Sequence, residues 1–197
     1  NDTSTDVRAS AASALGRYVL LGEFDRIGKG DTDRVVGALR SALGTRENPL
    51  EVRARALEAL GAYTAEWVPD VIRAALEGSE PRMVVSAIHA MGRSADGEWL
   101  PELQTRAADE DPEVRYEVAI AIGAIGDEAG LRQLVIMSVD DDEEVRLAAI
   151  DAIGGIGGKQ ARKALEEIMK SEDPRVREAA QSALAENDFS DDSFMGL

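Results

Sequence analysis

The chain has 197 residues, of which 22 are Lys or Arg and 38 are Asp or Glu, so its net charge is −16 at pH 7. It has no cysteine, which excludes disulfides and zinc–thiolate sites. No apolar run approaches the roughly 20 residues of a membrane span and no signal-peptide pattern opens the chain, so we expect a cytoplasmic protein without membrane contact. Residues 109–197 carry 9 basic and 22 acidic side chains, and such a surface repels nucleic acid. Either solubility alone or a basic protein partner explains this acidity.

One sequence motif recurs along the chain with a period of 31 residues. Its clearest copy, DPEVRYEVAIAIG, has a Val-Arg pair, apolar residues at helical spacing and a terminal Gly. A fixed period of this length predicts a repeat architecture in which each unit covers only its neighbours. The first apolar position of each copy is occupied by Val52, Met83, Val114, Val145 and Val176.

The chain opens with an atypical copy of the motif. We expect a helix that begins near Val7, passes Leu15 and is extended by the apolar residues between Tyr18 and Phe24. Its predicted buried residues are Val7, Ala11, Ala14 and Leu15. A loop then leads to a second helix near residues 33–43. Because no polar capping unit precedes the first helix, we expect the chain to be a piece of a longer solenoid.

From Pro49 onward each unit is predicted to contain a first helix of about 10 residues, a turn and a second helix. The first helix buries the residues of one apolar stripe, which in two of the units are Val52, Ala56, Ala59, Leu60 and Val114, Val118, Ala121, Ile122. The terminal glycines are predicted to end these helices in the left-handed conformation, at Gly61, Gly92, Gly123 and Gly154.

The predicted units cover about residues 5–48, 49–79, 80–109, 110–140, 141–171 and 172–185, which makes residues 1–185 one helical solenoid. Residues 186–197 are predicted to be an acidic tail. Four apolar side chains are interleaved with its acids, at Phe189, Phe194, Met195 and Leu197. We expect Phe189 to cover the apolar face that the last unit leaves open.

Helix pairs whose first helix reads D-P-x-V-R-x-x-A-x-x-A-L-G resemble HEAT repeats, especially the short type named after the phycobiliprotein lyases. The resemblance covers residues 5–185. It implies an all-α, right-handed superhelix of about six helical hairpins, with second helices on the concave side. It also implies a ladder of bonds between successive units, formed by Asp111, Asp142, Asp173 and Arg53, Arg115, Arg146, Arg177. Val84 replaces the arginine in the third unit, so the ladder is expected to be interrupted there.

Catalytic and metal sites are not indicated by the residues. A chain similar to deoxyhypusine hydroxylase would need several His-Glu pairs, whereas the one histidine is His89, expected on an outward helix face. The carboxylates at 140–144 lack the spacing of a calcium-binding loop and are predicted to be a solvated turn. We therefore predict no catalytic residue, no metal ligand and no cofactor.

Six residues are candidates for binding a partner. Trp67 and Trp99 precede the second helices of adjacent units and either fill seams between units or form an aromatic pair at the groove rim. Ile136 and Met137 face away from Leu134 and are predicted to be exposed on the concave side, unless the helix phase differs by one residue. Arg73 and Arg106 occupy the corresponding positions elsewhere.

The sequence thus favours a non-enzymatic scaffold that binds a protein or peptide along its concave groove. An accessory subunit of a lyase-type enzyme, active only with a partner, is the alternative. An activity would require unlike polar groups that converge in one pocket, whereas a scaffold requires an extended groove.

Overall fold

The computed structural model describes the backbone of residues 2–194 and the side chains of residues 2–185. Throughout residues 2–194 the regular secondary structure is helical, which confirms the predicted all-α class. The helices are α1 (Thr5–Glu23), α2 (Lys29–Gly44), α3 (Leu50–Leu60), α4 (Val68–Leu76), α5 (Pro81–Ser94), α6 (Leu100–Arg106), α7 (Pro112–Ile125), α8 (Leu131–Met137), α9 (Glu143–Ile156), α10 (Gly158–Ile168) and α11 (Pro174–Phe194). Short 3-10 turns, Gly97–Trp99 and Glu128–Gly130, directly precede α6 and α8.

The chain divides into two compact units, Asn1–Ala95 and Asp96–Leu197. In the first unit α3 lies between α1 and α5, while α2 packs on α1 and α3, and α4 packs on α3 and α5. Val19, Leu39 and Leu60 form the centre of a core under these helices. The first helices of this unit are therefore α1, α3 and α5, and each contacts the neighbouring first helix within the unit.

The second unit repeats this arrangement. Helix α9 lies between α7 and α11, and α8 and α10 each pack on the first helices before and after them. Fully buried Ile122, Ile150, Ile153 and Leu165 fill the space between the two layers of helices. None of the helices among the described residues is long and apolar enough to cross a membrane.

The apolar stripe predicted for the first helices is confirmed in the interior repeats. All eight residues of the predicted stripes in α3 and α7 are buried. In α1 the prediction is wrong, because Val7 is 50% exposed and Ala11 and Ala14 are also exposed, while Leu15 is half-buried. The buried residues of α1 are instead Ala9, Ala12, Gly16 and Val19. Among the described residues α1 packs on α2 and α3, so the sides that face these two helices are the buried ones.

The terminal glycines of the motif allow close helix packing and do not adopt the predicted left-handed conformation. Gly92, Gly123 and Gly154 lie inside their helices, and Gly61 has φ −55°. A Cβ at Gly61 would lie 2.5 Å from the carbonyl oxygen of Ala90 in the next first helix. A Cβ at Gly61, Gly123 or Gly154 would lie less than 3.0 Å from an alanine of the next first helix, and one at Gly16 would lie 3.2 Å from Ala59, so these four glycines set the distance between neighbouring first helices. The corresponding pairs are Gly16–Ala59, Gly61–Ala90, Gly123–Ala152 and Gly154–Ala183.

Helices α5, α7 and α9 end two residues after Gly92, Gly123 and Gly154. Gly126 and Gly157 have φ values of 73° and 71°, which glycine tolerates because it has no Cβ, and their N–H groups donate to the carbonyl oxygens of Ile122 and Ile153. Ala95 ends α5 with φ 51°. The residue that stops each helix is thus distinct from the glycine at which the repeats touch.

The last helix continues beyond the final predicted unit. Helix α11 begins at Pro174 and ends at Phe194, so its backbone extends into the predicted tail. The side chain of Phe189, which was expected to cover the last unit, lies outside the described side chains, as do those of Phe194, Met195 and Leu197.

Candidate interaction groove

Arginine side chains fix the turn between α8 and α9. Nε and Nη2 of Arg115 on α7 donate to the two carboxylate oxygens of Asp140, at 2.8 Å each. Nη1 of the same guanidinium donates to the backbone carbonyls of Asp109 and Glu110. Hydrogen bonding from Arg115 lowers the pKa of the Asp140 carboxyl, and burial opposes this shift only in part. The pair therefore holds the first helix of this repeat against the turn that leads into the next repeat.

The predicted ladder forms with partly different partners. Asp142 was expected to pair with an arginine, but its Oδ1 accepts the backbone N–H groups of Glu144 and Val145 and so caps α9. Arg115 therefore pairs with Asp140 instead. In the next repeat Arg146 approaches Asp173 at 3.6 Å, as predicted, since Ser171 stands where Asp140 does one repeat earlier. Arg177 donates to backbone carbonyls, and Nε of Arg53 is buried without a hydrogen-bond partner among the described residues.

A different ion network replaces the ladder in the third repeat, where Val84 interrupts it. Arg82 on α5 donates to both oxygens of Glu51, at 2.9 and 3.1 Å, and to Glu58, at 2.8 Å, on α3. Buried Ser86 also donates to Glu58. Burial raises the pKa of the Glu58 carboxyl, but the hydrogen bonds from Arg82 and Ser86 outweigh this effect and leave that pKa lowered. This network therefore joins α3 to α5 in place of the ladder.

A groove of about 1080 Å³ opens in the second unit between α8 and α10. We call it the α8–α10 groove. Val135 and Val139 line one wall, Lys163, Ala164 and Ile168 line the other, and Asp140, Asp141 and Asp173 stand at the end where α9 and α11 begin. At the opposite end of the helix pair, Gln160 donates to Glu128 at 3.0 Å. The groove is on the second-helix side of the repeats.

The walls of the α8–α10 groove are mainly apolar, with Lys163 on the α10 side, and its rim is charged. Val139 is 79% exposed and Val135 is 40% exposed, whereas the acids at its end are partly neutralised. Asp140 is bound by Arg115, as described above. On the α10 side, a hydrogen bond from Lys170 at 2.7 Å lowers the pKa of Glu167. Such a surface offers aliphatic contact together with separate positions for charged groups.

The two candidate residues on α8, Ile136 and Met137, differ in their exposure to solvent. Ile136 is 55% exposed, as predicted, and lies on the outer surface of the helix beside the valines. Met137 is only 2% exposed, so its predicted exposure is wrong. The helix phase differs from the predicted one, and Met137 points inward together with Leu134.

The other candidate residues do not converge on the α8–α10 groove. Trp67 is half-buried, with the guanidinium of Arg40 4.6 Å from its ring centre and Tyr63 at 6.2 Å. Trp99 is 4% exposed. The structure thus buries one tryptophan and covers a face of the other with Arg40. Arg73 lies exposed on α4, and Arg106 at the end of α6 is 3.4 Å from Asp109.

The sequence pattern did not identify Val135 and Val139, which form the exposed aliphatic wall of the groove on the α8 side. The sequence contains a signal for their exposure. The equivalent positions one repeat later are occupied by the charged residues Glu166 and Lys170. Among the described residues no group of three or more His, Cys, Asp or Glu side chains is placed to hold a metal ion. His89, expected on an outward face, is half-buried.

Comparison with known proteins gave matches in family and in fold. The profile described as HEAT repeats matches residues 68–143 and 133–193, and that of the PBS lyase HEAT-like repeat matches residues 52–78. No curated protein sequence gave a significant match. The second profile describes a single helix pair of this chain, so it indicates the type of repeat and no activity.

Solved structures of similar fold are repeat solenoids. An engineered protein has 22% identity and a TM-score of 0.54, with coverage of 95% of this chain and 93% of the other. A designed armadillo repeat protein in complex with the peptide (KR)4 has 20% identity and a TM-score of 0.55, with coverage of 90% and 92%. Human deoxyhypusine hydroxylase has 17% identity and a TM-score of 0.48, with coverage of 96% and 82%, which is too distant to support an argument. The designed armadillo protein confirms the predicted α-solenoid class.

Proposed function

The chain belongs to the HEAT-repeat family, and from this premise we propose that it is a non-enzymatic scaffold that binds a segment of a partner protein in the α8–α10 groove. The observation that carries the proposal is the outer surface of α8. Val135 and Ile136 on α8 and Val139 in the turn after it are all substantially exposed, beside a groove large enough for a peptide. Clustered exposed aliphatic side chains beside a groove are typical of interaction sites.

The electrostatics of the groove support binding rather than catalysis. The lowered pKa values of Asp140 and Glu167 arise from ion pairs with Arg115 and Lys170, which join helices or stabilise a turn. A reactive site instead needs titrating groups that converge on one reacting atom. The groove therefore fits a role in which affinity comes from apolar burial and orientation comes from charge.

The charge of the second unit favours a basic partner. Residues 96–197 carry 10 basic and 25 acidic side chains, whereas residues 1–95 carry 12 and 13. A field of one sign raises the association rate of an oppositely charged partner and disfavours acidic ones. The designed armadillo protein that binds (KR)4 is too distant to transfer its ligand to this chain, but it supplies a basic probe.

Fluorescence polarisation with two labelled peptides tests the proposal. One is (KR)4, and the other has two leucines between its basic residues. We expect the leucine-containing peptide to bind at least tenfold more tightly, because its aliphatic side chains can pack on Val135 and Val139.

Replacement of an exposed valine distinguishes binding in the groove from general attraction of cations. Val139→Asp should remove most of the difference in affinity between the leucine-containing peptide and (KR)4. Leu20→Asp adds the same charge at another exposed aliphatic residue and should preserve this difference. Equal affinities of the two peptides, or equal effects of the two substitutions, would refute the groove as the binding site.

A further inference from the structure

Arg53 on α3 follows the first apolar residue of its repeat, as Arg115 does on α7, but it lacks the acidic partner that Arg115 has. The carboxylate that binds Arg115 belongs to Asp140, which lies 25 residues later. At the same distance from Arg53 the chain has Gly78, which has no side chain to accept a hydrogen bond. Among the described residues Nε of Arg53 is buried without a hydrogen-bond partner. This repeat therefore contains the arginine of the ladder without its acid.

Arg146 on α9 shows the same relation between a missing carboxylate and an unpartnered Nε. Ser171 stands 25 residues after it, and in the described part of the chain its Nε is likewise buried without a hydrogen-bond partner. Nε of Arg115, in contrast, donates to Asp140 at 2.8 Å. A buried N–H without an acceptor is unfavourable, so an arginine in this position gains stability when an external acid binds it.

A pocket of about 340 Å³ lies beside Arg53 in the first unit. We call it the α2–α4 pocket, because it opens between Leu43 on α2 and Val71 on α4, and Met83 on α5 completes its aliphatic lining. Gly78, where the acid is missing, also lines it. The volume is at the lower end for ligand pockets and suits one or two side chains of a peptide. The α2–α4 pocket thus combines aliphatic walls with a guanidinium.

The charge of the α2–α4 pocket is opposite to that of the α8–α10 groove. Among the described residues, the charged ones that line the pocket are Arg46, Arg53 and Glu80. Those that line the groove are three basic and four acidic residues. Glu80 is exposed and its side chain does not cap α5, so it can turn toward solvent when an anion binds. Two arginines and aliphatic walls therefore favour a ligand that has both a negative charge and an aliphatic group.

We propose that the α2–α4 pocket binds an acidic side chain in a segment of a partner protein, together with an aliphatic residue beside it. The acid would bind Arg53 as Asp140 binds Arg115, and Arg46 would add a second positive group. Because Nε of Arg53 is buried, the acid would reach the guanidinium through its outer nitrogens. The aliphatic neighbour would pack on the pocket walls. This site lies in the other unit from the α8–α10 groove and does not depend on the binding proposed there.

An NMR titration of the isotope-labelled chain with a capped tripeptide tests the proposal. The probe is Leu-Glu-Val, and its control is Leu-Gln-Val, which has the same shape without the charge. We expect Leu-Glu-Val to shift the amide signals around Gly78 with a Kd on the order of 1 mM and to bind at least tenfold more tightly than the control. Equal affinities of the two peptides would overturn the proposal. An equal affinity of inorganic phosphate would also overturn it, because the site would then bind anions without preference for a peptide.

Substitutions at Gly78 test whether the acid of the ligand takes the position that Asp140 has beside Arg115. Gly78→Asp supplies an acid within the chain, so it should weaken binding of Leu-Glu-Val at least tenfold and raise the melting temperature. Gly78→Asn has the same size without the charge and should retain the binding. A Cβ at this position lies 3.3 Å from the carbonyl oxygen of Ala75 in both variants, so their comparison isolates the charge. Equal effects of the two substitutions would refute this position of the acid.

Removal of the guanidinium completes the test. Arg53→Met keeps an unbranched stem and should abolish the preference for Leu-Glu-Val over Leu-Gln-Val, while Arg17→Met, at an exposed position of the same unit outside the pocket, should preserve it. Circular dichroism verifies that both variants remain helical. A preference that persists in folded Arg53→Met would overturn the proposal. Val139→Asp in the α8–α10 groove should leave the preference unchanged, which separates this site from the groove.

Discussion

Individual arginines determine how tightly successive repeats of this chain are joined. Arg115 has four well-formed hydrogen bonds, two to a carboxylate and two to backbone carbonyls, and the side chains of Arg115 and Asp140 are only 15% and 12% exposed. Such a pair resists screening by solvent more than the exposed ion pairs elsewhere on the surface. We therefore expect removal of the Arg115–Asp140 pair to lower the free energy of unfolding.

Arg115→Ala should lower the free energy of unfolding by about 1–3 kcal/mol, because it removes the donors to two backbone carbonyls and leaves the Asp140 carboxylate with the N–H of Asp142 as its remaining hydrogen-bond donor among the described residues. Chemical denaturation of the wild type and the variant measures this difference. Arg132→Ala, an exposed position on α8, is the control and should cost less than about 0.5 kcal/mol. Equal effects of the two substitutions would contradict a joining role for Arg115.

The same pair should make stability depend on pH in the acid range. Because the pKa of Asp140 is lowered in the folded state, its contribution is fully present above the ordinary carboxyl pKa of about 3.9 and is lost as pH falls through the lowered folded value. The difference in stability between wild type and Arg115→Ala should therefore be constant between pH 5 and pH 7, a range estimated from the same reference pKa of about 3.9. It should shrink below this range. A difference that persists undiminished in strong acid would contradict the assignment.

At the scale of the helices, close contact between first helices is the feature that repeats. Two adjacent glycines in α9, Gly154 and Gly155, allow the effect of this contact on stability to be measured separately from the effect of helix propensity. A Cβ at Gly154 would lie 2.8 Å from Cβ of Ala183 on α11, whereas a Cβ at Gly155 would meet no atom within 4 Å. The two positions share one helix and differ only in what they face.

Gly154→Ala should destabilise the protein by about 1–3 kcal/mol, since α11 must move to admit the methyl group. Gly155→Ala should stabilise it by about 0.5–1 kcal/mol, because alanine restricts the unfolded chain and favours the helix. Thermal unfolding of both variants checks the prediction. Stabilisation by both substitutions would show that the contact with Ala183 is not close.

The helices also show what the sequence could predict and what it could not. From residue 49 onward the 31-residue period places the helix pairs, since one apolar stripe per first helix suffices to identify them. It could not reveal that α1 leaves Val7 exposed, because burial depends on a neighbour that the local pattern does not contain. Likewise Gly123 resembles a helix-ending glycine in the sequence, and only the position of Ala152 identifies it as a packing contact. The groove residues Val135 and Val139 were missed because a one-residue error in phase directed attention to Met137.

On the scale of the whole molecule, charge is divided unequally between the two units. Residues 96–197 hold 15 more acidic than basic side chains, and residues 1–95 hold one more. Mutual repulsion of the acids opposes the compact state, and salt screens it over distances of about 10 Å at 0.1 M. Salt also weakens ion pairs, chiefly the exposed ones such as Arg162–Glu166 and Lys170–Glu167, and exposed pairs contribute little to stability.

Thermal stability should therefore rise with NaCl concentration. Differential scanning calorimetry should show a melting temperature that increases by several degrees between low salt and roughly 0.5 M, with most of the gain below about 0.2 M, where the Debye length changes most. Replacing the exposed acids Asp141, Asp151 and Glu172 by Lys should reduce this increase. A melting temperature that falls with salt would mean that ion pairs, rather than repulsion, dominate.

The glycine–alanine contacts bear on how a gene of this kind can change length. Gly123 meets Ala152, and Gly154 meets Ala183, so the partners are 29 residues apart in both cases. An in-frame loss of the codons for residues 141–171 would bring Ala183 to the same separation from Gly123 and would retain Asp140 for Arg115. Unequal recombination could thus remove or duplicate one repeat while a matching contact forms at the new junction. Selection can then adjust the number of repeats without first redesigning the surfaces between them.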